Sequence, residues 1–157
     1  MSGVSYAARG GWWVVAQVPL LVAALVLPIW TPGSDGALGA LLQAAGPLIA
    51  AAGLLFALAG LAALGRGLTP FPRPRERGRL VTRGVYRVVR HPVYTGLVVA
   101  ALGWAVAYLS VPSVVYAVLL GVFFDRKARR EEQWLRERFP EYADYARRVR
   151  RFIPGIY

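Results

Sequence analysis

The chain has 157 residues and a formal net charge of +11, with 57% of its residues hydrophobic and only 17% charged. This composition, with no cysteine and one histidine, excludes an ordinary soluble domain, a disulfide framework and a thiolate metal site, and no metal is expected. It is typical of an integral membrane protein, and the basic blocks at residues 66–91 and 125–157 flank apolar runs, which favours anionic lipid headgroups over nucleic acid as partners.

The first two predicted elements are membrane spans. Residues 12–30 form an apolar run with a tryptophan at each end, the placement of interfacial anchors. This run lacks the basic start and the cleavage site of a signal peptide, so we expect it to remain as a span. The turn "TPGSDG" (residues 31–36) has no basic residue and is predicted on the outer side of the membrane. Residues 37–65 are long enough for a second span.

The Pro- and Arg-rich segment "LTPFPRPRERGRL" (residues 68–80) cannot be helical throughout and is predicted to be a cytoplasmic loop. A short amphipathic piece then leads into residues 93–124. This apolar stretch must hold two crossings or one re-entrant hairpin, because basic blocks lie on both sides of it. The sequence "SVPS" (residues 110–113) is its natural corner.

Small residues recur at helical spacing in the second and third apolar runs. They are Gly39, Gly46, Gly53 and Gly60 in the second run, and Gly96, Ala100, Gly103 and Ala107 in the third. A stripe of small residues lets another helix approach closely in lipid. We therefore predict two packing faces; the alternative is a chance register in a Gly- and Ala-rich composition.

The C-terminal part is predicted to be helical and cytoplasmic. "DRKARREEQWLRER" (residues 125–138) continues the last span as a charged helix and stops before Pro140. Apolar residues then recur at helical spacing, which predicts an amphipathic helix at the membrane surface. They are Tyr142, Tyr145, Ala146, Val149 and Phe152.

The predicted fold is an all-α, polytopic membrane helix bundle that forms a single domain over residues 1–157. About four transmembrane helices are followed by C-terminal cytoplasmic or interfacial helices, and charge bias places both termini in the cytoplasm, at the inner membrane. Residues 66–92 and 125–157 are expected to supply the cytoplasmic functional elements.

Two polar clusters border the apolar runs. "RVVRHPVYTG" places Arg90, His91 and Tyr94 at the mouth of the third run, where polar groups are costly unless they face a cavity or a partner. Glu131 and Glu132 follow the last run on the charged helix. The alternative is structural: an interfacial histidine, and a surface glutamate paired with the arginines three residues before and four after it.

If both clusters lie at the same end of the membrane spans, they bring together carboxylates, arginines, aromatic rings and an imidazole. A ligand with both signs of charge and a flat ring matches such a set, and S-adenosylmethionine is such a ligand. Carboxylates would hold its ammonium, arginine its carboxylate, and aromatic faces its adenine or sulfonium.

The strings "LVTRGVYRVVRHPVYTG" and "REEQWLRERFPEYADYARRVRRFIPG" together resemble the integral-membrane methyltransferases, a family that includes isoprenylcysteine carboxyl methyltransferase and phosphatidylethanolamine N-methyltransferase. The resemblance covers about residues 80–155, half of the chain. It implies S-adenosylmethionine as methyl donor, S-adenosylhomocysteine as product, and a lipophilic or lipidated acceptor. It also implies cofactor-binding roles for Arg90, His91, Tyr94, Gly96, Glu131 and Glu132.

The resemblance prefers Glu132 over Glu131, because Glu132 stands at the family's spacing ahead of Phe139. An arginine a few residues before the glutamates is also typical of the family, and both Arg126 and Arg129 qualify. The candidate catalytic residues are Glu132, Arg129 and Arg90.

The acceptor decides the chemistry. A carboxylate like that of isoprenylcysteine is the first expectation. If the acceptor is a carboxylate, two opposite charges disappear during in-line transfer, and a low-dielectric site favours that change without a base. An amine must lose a proton first, which His91 or a glutamate could accept. A non-enzymatic scaffold or lipid-binding protein is the rival from another class. A transporter is a weaker reading, since the spans carry almost no ionisable residues.

Overall fold

The computed structural model describes residues 10–31, 33, 36–65 and 80–157. Within these ranges the chain is helical without a β-strand, which confirms the predicted all-α class. The elements are α1 (Gly11–Trp30), α2 (Ala37–Leu64), a 3₁₀ turn (Gly84–Arg87), α3 (Pro92–Ala107), α4 (Val111–Arg138) and α5 (Tyr142–Arg148). The predicted Arg-rich loop, apart from Leu80, and residues 32, 34 and 35 of the predicted outer turn lie outside the described residues.

Two helices, α1 and α2, are long and apolar enough to cross a membrane by length and composition. Their bounds agree with the predicted runs, and large side chains such as Val18, Leu41 and Leu55 are exposed, as surfaces that face lipid would be. α3 is apolar but has only 16 residues. The described helices therefore include two candidate spans, and four crossings remain a prediction.

The small-residue stripes of α2 and α3 face each other. A Cβ on Gly53 would lie 2.5 Å from the Ala100 nitrogen and 2.6 Å from the Gly96 oxygen, so the two backbones are in direct contact. Gly46 and Gly60 are buried in the same interface, whereas Gly39 is only half-buried. The predicted packing faces are confirmed, and they fix the position of α3.

The predicted corner between α3 and α4 is also confirmed. α3 ends at Ala107 and α4 begins at Val111, after Ser110, whose side chain accepts a hydrogen bond from the Ser113 nitrogen. The Ser110 hydroxyl also lies 2.5 Å from that of Thr31, at the end of α1. This cap satisfies part of the backbone that a helix start leaves unpaired.

α4 is a single helix with two halves. Residues 111–124 are apolar, and residues 125–138 are the charged continuation predicted from the sequence. The helix ends at Arg138, because Phe139 adopts the extended backbone that precedes proline. The charged half therefore projects directly from the apolar one.

The predicted C-terminal amphipathic helix is wrong in extent and in surroundings. α5 ends at Arg148, and Val149 is extended, with φ −115° and ψ 132°. The next two carbonyls accept hydrogen bonds from the backbone nitrogens of Arg90 and His91, and Val89 forms a bridge with Arg150. Tertiary pairing thus overrides helical periodicity. Tyr142 and Tyr145 are buried within the protein instead of lying at a membrane surface.

α1 is held to the bundle by polar side chains as well as by packing. The Trp104 indole donates to the Leu25 carbonyl at 2.9 Å, and the Tyr116 hydroxyl donates to the Leu20 carbonyl at 3.0 Å. Where the surroundings are apolar, water does not compete for these bonds.

We predict that Gly53→Ala lowers the unfolding temperature, because the added methyl group would meet backbone atoms of α3 that cannot move independently. Overpacking of this kind costs about 1–3 kcal/mol. Thermal unfolding in detergent would measure it. Gly121→Ala is the control, because its Cβ would lie 3.7 Å from a Val98 methyl group, an ordinary contact. Equal unfolding temperatures for the two variants would contradict the prediction.

Candidate active site

The segment before α3 places two of the predicted site residues. It leaves the 3₁₀ turn, runs beside the C-terminal segment, and enters α3 through Pro92, a residue suited to the first helical turn. The backbone bonds from Arg90 and His91 to the carbonyls of Arg150 and Arg151 measure 2.8 Å and 3.2 Å. Both side chains reach the charged half of α4.

Glu132 is the centre of a buried ion cluster. Its side chain is only 2% exposed. Its Oε1 accepts hydrogen bonds from Arg90 Nε at 3.0 Å and Arg151 Nε at 3.0 Å, and lies 3.2 Å from His91 Nε2. Its Oε2 accepts from Arg151 Nη2 at 3.1 Å. The two polar clusters recognised in the sequence therefore meet at one carboxylate.

The electrostatics of Glu132 follow from these contacts. Burial alone would raise the pKa of the carboxyl group, but hydrogen bonds from His91 and Arg151 and the charge of Arg90 hold it well below its usual range. The group is therefore an ionised carboxylate whose charge is balanced inside the protein. Both carboxylate oxygens of Glu132 accept hydrogen bonds from other side chains of the protein. Glu132 therefore holds the segments that carry these donors together.

The guanidinium of Arg90 also makes all of its contacts within the protein. Its side chain is 9% exposed, and its Nη2 lies 2.9 Å from Glu132 Oε1. Its Nη1 donates to the carbonyls of Ala146 at 3.0 Å and Val149 at 2.5 Å. The guanidinium thus ties the segment before α3 to α4 and to the end of α5.

Glu131 has different surroundings from its neighbour. The Tyr94 hydroxyl donates to its Oε2 at 3.1 Å, and His91 Nδ1 lies 3.8 Å from the same oxygen. The side chain is 26% exposed, and within the described part of the chain no residue donates a hydrogen bond to Oε1. Burial raises the pKa of Glu131, although the charge of His91 and the Tyr94 bond lower it. Glu131 therefore differs from Glu132 in having one carboxylate oxygen that no described residue contacts by a hydrogen bond.

Aromatic rings line this side of the cluster. The rings of His91 and Tyr94 are stacked, with centroids 5.5 Å apart, and Tyr94 stacks on Phe124 at 4.8 Å. Phe152 lies against His91 at 5.7 Å. Stacked faces beside a carboxylate form a surface that suits a cation or a flat ring.

Two predicted residues lie elsewhere. Arg129 is 56% exposed, and its Nε donates to Asp125 at 2.7 Å instead of reaching Glu132. Gly96 faces α2, where a Cβ would lie 2.6 Å from the Ala57 nitrogen. Close packing against α2 explains why position 96 is a glycine. The predicted position of Gly96 beside a cofactor stays a prediction.

Arg151, Asp125 and Tyr157 are among the residues of the site that were missed from the sequence. Arg151 donates through Nη1 to Asp125 Oδ1 at 3.0 Å, and the Tyr157 hydroxyl donates to the same oxygen at 2.9 Å. Burial alone would raise the pKa of Asp125, but hydrogen bonds from Arg129, Tyr157 and Arg151 lower it. Arg151 lies in a run of similar arginines, "ARRVRRF", and gave no separate signal.

These features define the class of protein: an all-α chain with apolar helices and a buried ionic site where they end. A family model for phospholipid methyltransferases matches residues 41–142. The chain therefore belongs to the phospholipid methyltransferase family, as its sequence strings indicated.

Several curated proteins are similar to one half of the chain. Protein-S-isoprenylcysteine O-methyltransferase B of Arabidopsis thaliana is 34% identical over 86 residues, which is 54% of this chain and 44% of the relative. A probable protein-S-isoprenylcysteine O-methyltransferase of Oryza sativa subsp. indica is 36% identical over 83 residues, 52% of this chain and 44% of the relative. The cobalt-zinc-cadmium resistance protein CzcN of Cupriavidus metallidurans is 34% identical over 83 residues, 52% of this chain and 38% of the relative. The matches thus span less than half the length of these relatives.

We predict that Glu132→Ala destabilises the protein severely, because it leaves the partly buried guanidinium groups of Arg90 and Arg151 without their carboxylate. Removing one partner of a buried ion pair costs about 3–5 kcal/mol. Thermal unfolding in detergent measures the effect, with the exposed Glu137→Ala on the same helix as the control. A variant as stable as that control would contradict the central role of Glu132.

The cluster also predicts a dependence of stability on pH. Because the pKa of Glu132 is lowered in the folded protein, its contribution is present above the ordinary value of 4.5 and is lost as the pH falls, when the unfolded chain binds the proton first. Unfolding temperatures measured between about pH 6 and about pH 3 should fall less steeply for Glu132→Gln than for the wild type. Parallel curves would contradict this assignment.

Proposed function

We propose that this protein is an S-adenosylmethionine-dependent methyltransferase that acts at the membrane interface on a lipophilic acceptor, preferably a carboxylate like that of S-isoprenylcysteine. The observation that carries the proposal is the meeting of the two sequence clusters around Glu132, beside the free oxygen of Glu131 and a stack of aromatic rings. The family and the names of the relatives support methyl transfer.

The proposed topology has four membrane crossings. α1 and α2 would cross completely, and the apolar α3 and the first half of α4 would complete the bundle. Because basic residues flank the site and are absent from the turn after α1, both termini and the site would lie on the cytoplasmic side of the inner membrane. A polar donor and a lipophilic acceptor could meet only at such a border.

The residues present fit the proposed cofactor. S-adenosylmethionine, when bound, supplies a methyl group attached to a positively charged sulfur. Glu131 would hold its ammonium through the oxygen that no described residue occupies, and the rings of His91, Tyr94 and Phe152 would face its cationic or flat parts. The stacked rings and the apolar half of α4 would exclude water.

Glu132 and Arg90 take a different role from the catalytic one expected from the resemblance. Their hydrogen-bonding groups are used within the protein, so we assign them as positioning residues that orient His91 and the start of α3. Arg129 is exposed, but its guanidinium donates to Asp125 and to the Tyr157 hydroxyl, so its catalytic role stays a prediction.

A carboxylate acceptor makes the fewest demands on this site. The donor would supply an activated methyl group, and a carboxylate could accept it without first losing a proton, so the site would need no base. The protein's task is alignment and exclusion of water. The family's description names phospholipids, so a phospholipid is the second candidate; if its acceptor atom is an amine, His91 or Glu131 would accept a proton.

Calorimetric titration with S-adenosylhomocysteine tests the proposal. We predict saturable binding that Glu131→Gln weakens by roughly tenfold or more, because a charged hydrogen bond is lost. Glu137→Gln on the exposed face of α4 is the control. Because burial raises the pKa of Glu131, affinity should also increase as the pH rises on the acid side of neutrality. Absence of binding to the folded wild-type protein would refute the proposed function.

A further inference from the structure

Lys127 is a buried cation that the proposed mechanism does not use. It is the only lysine in the sequence and is 2% exposed, in the charged half of α4. Its Nζ donates a hydrogen bond to the side-chain oxygen of Gln17 on α1 and lies 5.3 Å from the centre of the Tyr94 ring. Among the described residues it forms no ion pair.

Among the described residues no carboxylate pairs with this buried ammonium group, and Glu131, one turn along α4, acts on it only through its charge at longer range. The ammonium carries three N–H donors, and Gln17 accepts only one hydrogen bond from them. Burying a charge without an opposite charge is unfavourable, because neither the amide nor the ring replaces the lost water fully. Lys127 is therefore prepared to receive an anion.

The neighbouring groups do not place an anion in direct contact with Lys127. Glu131 lies one turn further along α4, but its bonded oxygen accepts from Tyr94, and it makes no ion pair with Lys127. α1 offers the neutral Gln17, α3 offers the Tyr94 ring, and α2 has no ionisable side chain in its sequence. Burial lowers the pKa of Lys127 to about 8, although the charge of Glu131 opposes this, so the group is mainly charged at neutral pH.

We propose that Lys127 and Gln17 form the binding site for the carboxylate of the methyl acceptor. This inference rests on the proposed function and adds a specificity-determining pair to it. The pair joins α1 to the Tyr94 ring, so a carboxylate bound there lies next to the aromatic stack proposed for the methyl donor. The acceptor's apolar part would then extend between α1 and α4 toward lipid.

A purely structural role, in which Lys127 only holds α1 in place, makes different predictions. α1 is also attached through the bonds from Trp104 and Tyr116 to its carbonyls, so loss of the Lys127 bond need not release it. A structural tether would affect every acceptor equally, whereas an anion site would affect only the charged one.

The test compares N-acetyl-S-farnesylcysteine with its neutral carboxamide. Binding of each is measured in phosphatidylcholine nanodiscs with saturating S-adenosylhomocysteine. We expect the wild type to prefer the carboxylate by roughly tenfold or more near pH 7. Lys127→Met should abolish this preference, and Lys127→Arg should retain it. Arg130→Met removes an exposed positive charge one turn away and is the matched control.

The pH dependence gives a second readout. The wild-type preference should decline as the pH rises above about 8, where Lys127 loses its proton, and Lys127→Arg should keep it because a guanidinium stays charged. A carboxylate preference that persists in Lys127→Met overturns the proposal, as does an equal loss of both ligands. If phosphatidylglycerol competes with the carboxylate in the wild type only, the anion is a lipid headgroup, and the assignment to the acceptor is wrong.

Failure of this inference can be distinguished from failure of the proposed function. If S-adenosylhomocysteine binds normally but the preference is insensitive to residue 127, only the acceptor site is wrong. If S-adenosylhomocysteine does not bind to the folded protein, the methyltransferase proposal itself fails.

Discussion

The buried carboxylate of Glu132 makes the interactions on which the charged end of the helix bundle depends. An ionised group removed from water is stable only when a complete set of donors surrounds it. Those donors come from the segment before α3, through Arg90 and His91, and from the chain after α5, through Arg151. Satisfying one charge therefore draws together segments that are far apart in the sequence, and the aromatic stack forms beside them.

The apolar part of the bundle contributes by fixing α3. Backbone contact between α2 and α3 at Gly53 and Gly96 leaves little freedom for either helix to rotate or slide. Because His91 precedes the first turn of α3 and Tyr94 lies within it, the helix packing also sets where these rings stand relative to Glu131. Small residues within the apolar bundle thus determine the geometry of a polar site at its end.

Much of this architecture could be predicted from the sequence because its signals are local. Apolar runs, small residues at helical spacing and a proline after Phe139 each act within one helix, and the structure confirms the helices, packing faces and corner that they predict. The end of α5 could not be predicted, because it depends on backbone pairing with residues about sixty positions earlier.

Individual roles within the site were harder to assign. Glu131 and Glu132 are adjacent, so their side chains point about 100° apart on the helix, and only the packing of α4 decides which carboxylate is enclosed. Arg129 and Arg151 look alike in the sequence, yet one is exposed and the other donates two hydrogen bonds to Glu132. Lys127 could have been singled out from the sequence, because it is the one lysine among 19 lysine and arginine residues.

The backbone pairing of Arg90 and His91 with Arg150 and Arg151 also constrains biosynthesis. During translation the apolar helices emerge first and can associate before the C-terminal segment exists. Until residue 151 has left the ribosome, Glu132 lacks the guanidinium that contacts both of its oxygens. The ionic centre consequently assembles after the apolar helices, and a nascent chain whose helices have already packed together still lacks this centre.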